Sequence, residues 1–202
     1  MKPSECFHCE TFPCTDTNHA SYYIPDVNLD ATTIRMVLIS EAAPESPTEH
    51  YYAAGDPLFA QTTALAFKEA GAPVNSVQDI LALGVYLTTA VKCGKTGYGI
   101  QSSSIKECSS LLEKELALFP NLKVLMLMGD VAIKSLNTIA TRSSAEKVIP
   151  TGSTYKIRGK EYYFRGIRTF PSYLQAGPSF FIEKSKRKMI VEDIKTALAL
   201  LD

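Results

Sequence analysis

The residues best equipped for chemistry are five cysteines and a carboxylate that closes an apolar run. Cys6 and Cys9 have the two-residue spacing that lets adjacent thiolates share one metal ion or cluster. Cys93 follows a strand-like run and Cys108 lies on the helical stretch after it, so four thiolates can converge. Two other readings fit the same residues. Cys93 and Cys108 also suit small core positions, and Cys6, Cys9 and Cys14 with His8 or His19 would make a zinc site. The carboxylate is Glu41, in Ser40-Glu41-Ala42-Ala43-Pro44, where polar chemistry begins after the β-rich run from Ile34 to Ile39. A carboxylate there can orient a water as a general base, or simply hydrogen-bond a neighbouring loop. Gly94-Lys95-Thr96 invites a phosphate-loop reading, but that motif needs a glycine five residues before its second glycine, and position 89 is Thr. Thr96 to Gly99 reads instead as an exposed flexible turn.

Strands alternating with helices must position these groups. After the strand from Ile34, a helix is expected from Ala60 to Ala70, closed by Gly71 and Pro73. A short helix follows from Ser76, with Asp79 in the capping-box position. Val85 to Val91 reads as a second strand. The next helix runs from Ser104 to Phe119, with Ile105, Cys108, Leu112 and Phe119 on one face. Val124 to Met128 is an unbroken apolar run, as expected of a central parallel strand covered on both faces. Asp130 opens a helix through Ala140, and Ser153 to Phe164 suggests a hairpin turning at Gly159-Lys160. A last strand, Gly166 to Thr169, precedes a helix from Phe181 to Leu201 with Ile182, Met189, Ile194, Leu198 and Leu201 facing in. The pattern predicts a three-layer α/β/α sandwich with a mainly parallel four-stranded central sheet. Ligands in such sheets bind beyond the carboxyl ends of the strands. Those ends are Ser40-Glu41, Thr88-Thr89, Gly129-Asp130 and Phe170-Pro171-Ser172.

Composition sets outer bounds. The chain has 202 residues, 46% apolar and 21% charged, which excludes a disordered, collagenous or coiled-coil protein and fits one domain over residues 1–202. Residues 1–30 are expected to be a cysteine-containing, metal-binding N-terminal segment of that domain. Lys and Arg total 21 and Asp and Glu total 21, so contact with nucleic acid must come from a local basic face. Lys184, Lys186, Arg187 and Lys188, with Lys92 and Lys95, are the candidates for phosphate contact. No apolar run reaches the roughly 20 residues that cross a bilayer, and no apolar leader follows Met1. The expectation is a cytoplasmic monomer without membrane contact, whose odd number of cysteines argues against a disulfide framework.

The order Ser40-Glu41-Ala42-Ala43-Pro44, Gly55-Asp56-Pro57-Leu58-Phe59, Tyr86-Leu87-Thr88-Thr89-Ala90-Val91-Lys92-Cys93, Leu127-Met128-Gly129-Asp130 and Thr169-Phe170-Pro171-Ser172-Tyr173-Leu174 resembles the uracil-DNA glycosylase superfamily over nearly the whole chain. The closest branch is the iron–sulfur (family 4-like) one, in which a paired Cys-x-x-Cys near the start joins a cysteine after the second strand and another on the next helix. The resemblance implies a 4Fe-4S cluster, with zinc as the alternative, held by Cys6, Cys9, Cys93 and Cys108. Cys14 can replace Cys6 or Cys9 in that set.

The resemblance also implies an N-glycosyl hydrolase acting on a deaminated or damaged, uracil-type base flipped from DNA. Glu41 would orient water, with Glu45 or Glu49 assisting. The base would meet Ala42, Phe59, Thr89, Phe170 and Ser172, with Phe59 stacking on it. Leu174 would wedge into the DNA stack, and Lys186 and Arg187 would hold phosphates. Two residues depart from the family. Thr89 stands for a base-reading Asn, and a single hydroxyl cannot reproduce the donor and acceptor of an amide. Phe170 stands for a His that donates to the departing base, a loss on the order of 100–1000 in rate. The alternatives are a non-catalytic nucleic-acid or nucleotide-binding member of the fold, and a redox sensor built on the cysteine centre.

Overall fold

A computed structural model describes residues 1–201. Four parallel strands form the centre: β2 (Met36–Ala43), β3 (Val85–Lys95), β4 (Val124–Met128) and β6 (Ile167–Ser172). Two short antiparallel strands, β1 (Thr17–Asn18) beside β3 and β5 (Tyr162–Phe164) beside β6, extend the sheet to the order β1-β3-β2-β4-β6-β5. The four-stranded expectation thus describes the parallel core of a six-stranded sheet. At two and three residues, β1 and β5 are too short to carry a readable period.

The strands alternate between two cores, as their two-residue side-chain period requires. Met36, Leu38, Val124, Met126 and Met128 pack against α1 (Leu58–Glu69), α2 (Val77–Ala82) and α7 (Lys184–Leu198). Val37, Ile39, Leu125 and Leu127 pack against α3 (Ser102–Leu116) and α4 (Asp130–Arg142). This is the expected α/β/α sandwich. The expected capping box on α2 forms in both directions, Asp79 N–H to Ser76 Oγ at 3.1 Å and Ser76 N–H to Asp79 Oδ2 at 3.0 Å.

Two expectations change near the C-terminus. Thr154–Ile157 coil into a single helical turn, α5, and the hairpin joins β5 to β6 through Arg165 and Gly166. Both turn residues have positive φ, 49° and 82°, as a tight two-residue hairpin requires; Gly159 has no such partner. β6 therefore runs through Ser172 and buries the residues expected at its open end. Pro171 is tolerated because β5 ends its pairing at Thr169, leaving no neighbour for the missing N–H. The last helix breaks at Glu183 into α6 (Ser179–Ile182) and α7, which leaves Ile182 77% exposed rather than inward.

Strand order reverses beside β2: β3 lies on one side and β4, next in sequence, on the other. The carboxyl ends of β2 and β4 thus flank a topological switch point, the usual place for a ligand crevice. Glu41 and Gly129 meet there. A Cβ on Gly129 would lie 2.6 Å from Glu41 Oε1, and its φ of +101° suits glycine.

Candidate active site

A cleft of about 460 Å³ opens over the ends of β2 and β3. It gathers Glu41, Ala42, Glu45, Phe59 and Leu174, five residues expected at the site, from separate parts of the chain. Lys95 and Tyr98 line it as well. β2 continues as strand through Ala43, and its register against β3 slips between Ala42 and Ala43. Such an irregularity re-aims side chains, and only Ala42 separates it from Glu41. The Glu41 side chain keeps 17% exposure and its Oε2 lies 3.4 Å from Lys95 Nζ. The cleft holds an acid and a base side by side within reach of solvent.

A buried polar network supports its floor. Ser40 Oγ shares a short hydrogen bond with the Tyr51 hydroxyl, to which Gln175 Nε2 donates at 2.9 Å. Gln175 also donates to Thr63 Oγ1 at 3.2 Å, tying the Leu174 loop to α1. Burial pushes the Tyr51 phenol up to about 12, so it stays a neutral hydrogen-bonding group. The Tyr51 ring lies 5.5 Å from that of Phe59 and steadies it. Glu49 is not an auxiliary base: its Oε2 accepts from Leu58 N–H at 2.8 Å and caps α1. Glu45 lies at the cleft edge with its carbonyl held by Ser21 Oγ.

Thr89, Phe170 and Ser172 lie outside this cleft. Thr89 is buried and its hydroxyl donates to Val91 O at 2.9 Å. Phe170 packs in the α7-side core, under the Arg168 guanidinium 4.2 Å from its ring centroid. Ser172, on the same strand face, donates to Asp193 Oδ2 at 2.6 Å, and Asp193 pairs with Arg158 at 2.8 Å. The alternation of β6 directs both side chains to α7.

The basic residues divide sharply. Lys92 is fully buried and paired with Glu115, donating also to Thr88 Oγ1 at 2.8 Å and Thr89 O at 2.6 Å, so it cannot reach a phosphate. Arg187 grips Glu69 and lies 4.9 Å from the Phe180 ring centroid, joining α7 to α1. Lys186 pairs with Glu183 and lies 5.5 Å from the centroid of Tyr173, next to Leu174.

A second cavity, of about 300 Å³, is lined by Cys9, Cys14, Cys93 and Cys108, with Tyr22 and Lys114 among its other walls. Cys14 thus stands where the sequence reading had placed Cys6. Cys6 is exposed outside this cavity and its thiol donates to Lys2 O at 3.4 Å. The turn at Phe12, with φ of 44°, lies between Cys9 and Cys14. His8 lines the rim but its side chain is 71% exposed, whereas His19 packs against Phe12 at 5.2 Å away from the cavity. Burial first, then the neighbouring thiols, pushes Cys93 up to about 12 and Cys108 up to about 11. Among the described residues, no group of three His, Cys, Asp or Glu side chains closes on a single metal ion. The Lys92–Glu115 pair braces β3 against α3, the two elements that carry Cys93 and Cys108.

Two of these residues left some trace in the sequence. Glu115 falls on the apolar stripe of α3 with Cys108 and Leu112, so it had to face inward and find a partner. Tyr98, flanked by Gly97 and Gly99, is fully exposed at the cleft, as an unanchored turn allows. Gln175, Thr63 and Tyr51 had no signal in spacing, because their network joins segments far apart in the chain.

Residues 28–195 match the family described as the Uracil DNA glycosylase superfamily. No curated protein matches the chain. Among solved structures, the chain is similar to the wild-type UNG crystal structure from Nitratifractor salsuginis, with 12% identity and a TM-score of 0.39. That likeness covers 83% of this chain and 75% of the other.

Proposed function

Because the chain belongs to the uracil DNA glycosylase superfamily, we propose that it hydrolyses the N-glycosidic bond of a deaminated or damaged, uracil-type base turned out of DNA. The observation that carries this reading is the meeting of Glu41, Phe59 and Leu174 in one cleft over the carboxyl ends of β2 and β3. A base must leave the stack before its glycosidic bond is accessible. Leu174 occupies the space it vacates, Phe59 stacks on its face, and the backbone at Ala42 and Ala43 lies along its edge. Glu41 accepts a hydrogen bond from the attacking water and takes its proton, while its negative charge stabilises the electron-poor sugar carbon. Glu45 adds negative charge at the rim. Lys186, beside Tyr173, contacts the phosphate backbone.

Cys9, Cys14, Cys93 and Cys108 are the residues that would hold a 4Fe-4S cluster. Four cysteines lining one cavity supply the four thiolates such a cluster takes. When bound, the cluster draws the thiols into their thiolate form and pins the N-terminal segment to β3 and α3.

The test is release of free base from single- and double-stranded DNA containing uracil, hypoxanthine or xanthine, by the protein and by its Glu41→Gln variant. Abasic sites formed by the protein and lost in the variant support the reading. No abasic site with any of them refutes it. Phe170 in the core favours a second reading, binding without turnover, which salt-dependent DNA binding unchanged in Glu41→Gln would support.

A further inference from the structure

Breaking a glycosidic bond leaves negative charge on the base, and something must stabilise it. β6 offers nothing for this, because Phe170 is buried in the core and Ser172 gives its hydroxyl to Asp193. Lys95 is the one cationic side chain among the described residues that line the cleft. Its backbone is fixed: Lys95 is paired with Thr17 of β1, and the neighbouring Gly94 is packed so closely that a Cβ there would lie 2.7 Å from Ser21 Cβ and 2.9 Å from Pro44 O. From this anchor the side chain, 29% exposed, crosses to Glu41, with its Nζ 3.4 Å from the carboxylate. The cleft therefore presents a paired ammonium and carboxylate, Lys95 and Glu41, facing the same space, with Glu45 a second carboxylate at the rim.

We propose that Lys95 is the catalytic residue that stabilises the departing base. The assignment rests on the glycosylase reading above and supplies the group that reading lacks. The two charges match the two ends of the breaking bond. The C1′–N bond breaks with both electrons going to the base. The water oxygen forms the new bond to C1′, and Glu41 takes the water's proton. Lys95 keeps its own proton and lends only charge to the anionic base, which solvent protonates after it leaves. Preorganised charge aimed at developing charge is typically the largest single contribution to catalysis.

Leaving-group chemistry distinguishes this role from a phosphate contact. A group that stabilises the departing anion matters less when the anion is already stable. The probes are DNA containing uracil and DNA containing 5-fluorouracil, whose anion is the less basic, under single-turnover conditions. Lys95→Gln should slow uracil release by roughly 100-fold or more, the loss expected for one such donor. Release of 5-fluorouracil should fall by a clearly smaller factor. Lys95→Arg, which keeps the charge, should retain the wild-type ratio between the two bases. An equal loss on both bases, accompanied by weaker DNA binding, would make Lys95 a phosphate contact and overturn the assignment. So would undiminished release by Lys95→Gln. If the wild-type protein releases neither base, the glycosylase reading on these substrates falls, and this assignment with it. If Lys95→Gln melts well below the wild-type protein, Lys95→Met and Lys95→Arg decide the matter on the same ratio.

Discussion

Gly129→Ala should inactivate the cleft while leaving the protein folded. The new methyl would lie 2.6 Å from Glu41 Oε1, 2.8 Å from its Cγ and 2.9 Å from its Cδ. The clash falls on a flexible side chain rather than on backbone, so the carboxylate moves. A displacement of about 0.8 Å restores an ordinary 3.4 Å contact. Misplacement on the order of 1 Å costs roughly 100-fold in rate when geometry governs the reaction. The backbone contributes separately: φ of +101° with ψ of 169° is a region essentially reserved for glycine and costs another residue about 1–3 kcal/mol, and at roughly 2–4 °C per kcal/mol the melting temperature should drop by about 2–12 °C. Gly71→Ala is a control for positive φ without the clash, since φ there is +95° with nothing within 4 Å of the added carbon. Thermal melts and single-turnover base release on both variants separate the two effects. The expected result is a lowered melting temperature in both, with activity lost only in Gly129→Ala. Full activity in Gly129→Ala, or an equal loss in both, would refute the placement of Glu41 at the reacting centre.

The cysteine cavity makes a sharper claim than the spacing of Cys6 and Cys9 does. Cys14→Ser should lose iron and visible absorption after anaerobic purification, whereas Cys6→Ser should keep both. The braced pair gives a stability test: Lys92→Met strands a fully buried Glu115 carboxylate and should cost about 3–5 kcal/mol in urea denaturation, and pairing it with Glu115→Leu should recover part of that loss. His50 supplies a pH test. Burial lowers its imidazole to about 4 from an ordinary 6.5, so folding favours the neutral ring, which stacks on Tyr23 with centroids 3.9 Å apart. The stability it contributes is present above pH 6.5 and lost as pH falls towards 4, by at most ~3 kcal/mol. Melts of wild type and His50→Gln across that range should show a shallower slope in the variant.

Much of the sheet was legible because a parallel strand covered on both faces must be apolar throughout, and β4 is. Glu41 stood out at the end of an apolar run, and the family resemblance pointed to Phe59 and Leu174, which line the same cleft. The errors have a common origin in side-chain direction. Taking β6 to stop at Thr169 left Phe170 and Ser172 free to face a ligand, whereas three more residues of strand turn them towards α7. Lys92 looked like a loop cation until β3 proved long enough to carry it inside, opposite Glu115. Choosing among Cys6, Cys9 and Cys14 needed the path of a segment without period, set by contacts such as Tyr22 OH accepting from Cys9 N–H at 2.8 Å.

The outer margin of β3 is covered by short pieces of chain rather than by another long strand, and Val85 to Gly94 are buried beneath them. Only two residues of β1 pair with it; elsewhere Tyr52 OH accepts from Leu87 N–H at 2.9 Å, and Tyr23 N–H donates to Lys92 O at 2.8 Å. A long strand with open backbone groups invites pairing with other copies of the same chain. Two of those three shields, β1 and Tyr23, belong to the stretch that includes Cys9 and Cys14. Whatever anchors those thiols therefore also protects the protein from self-association, and a chain shortened past Tyr23 should fail first by aggregating.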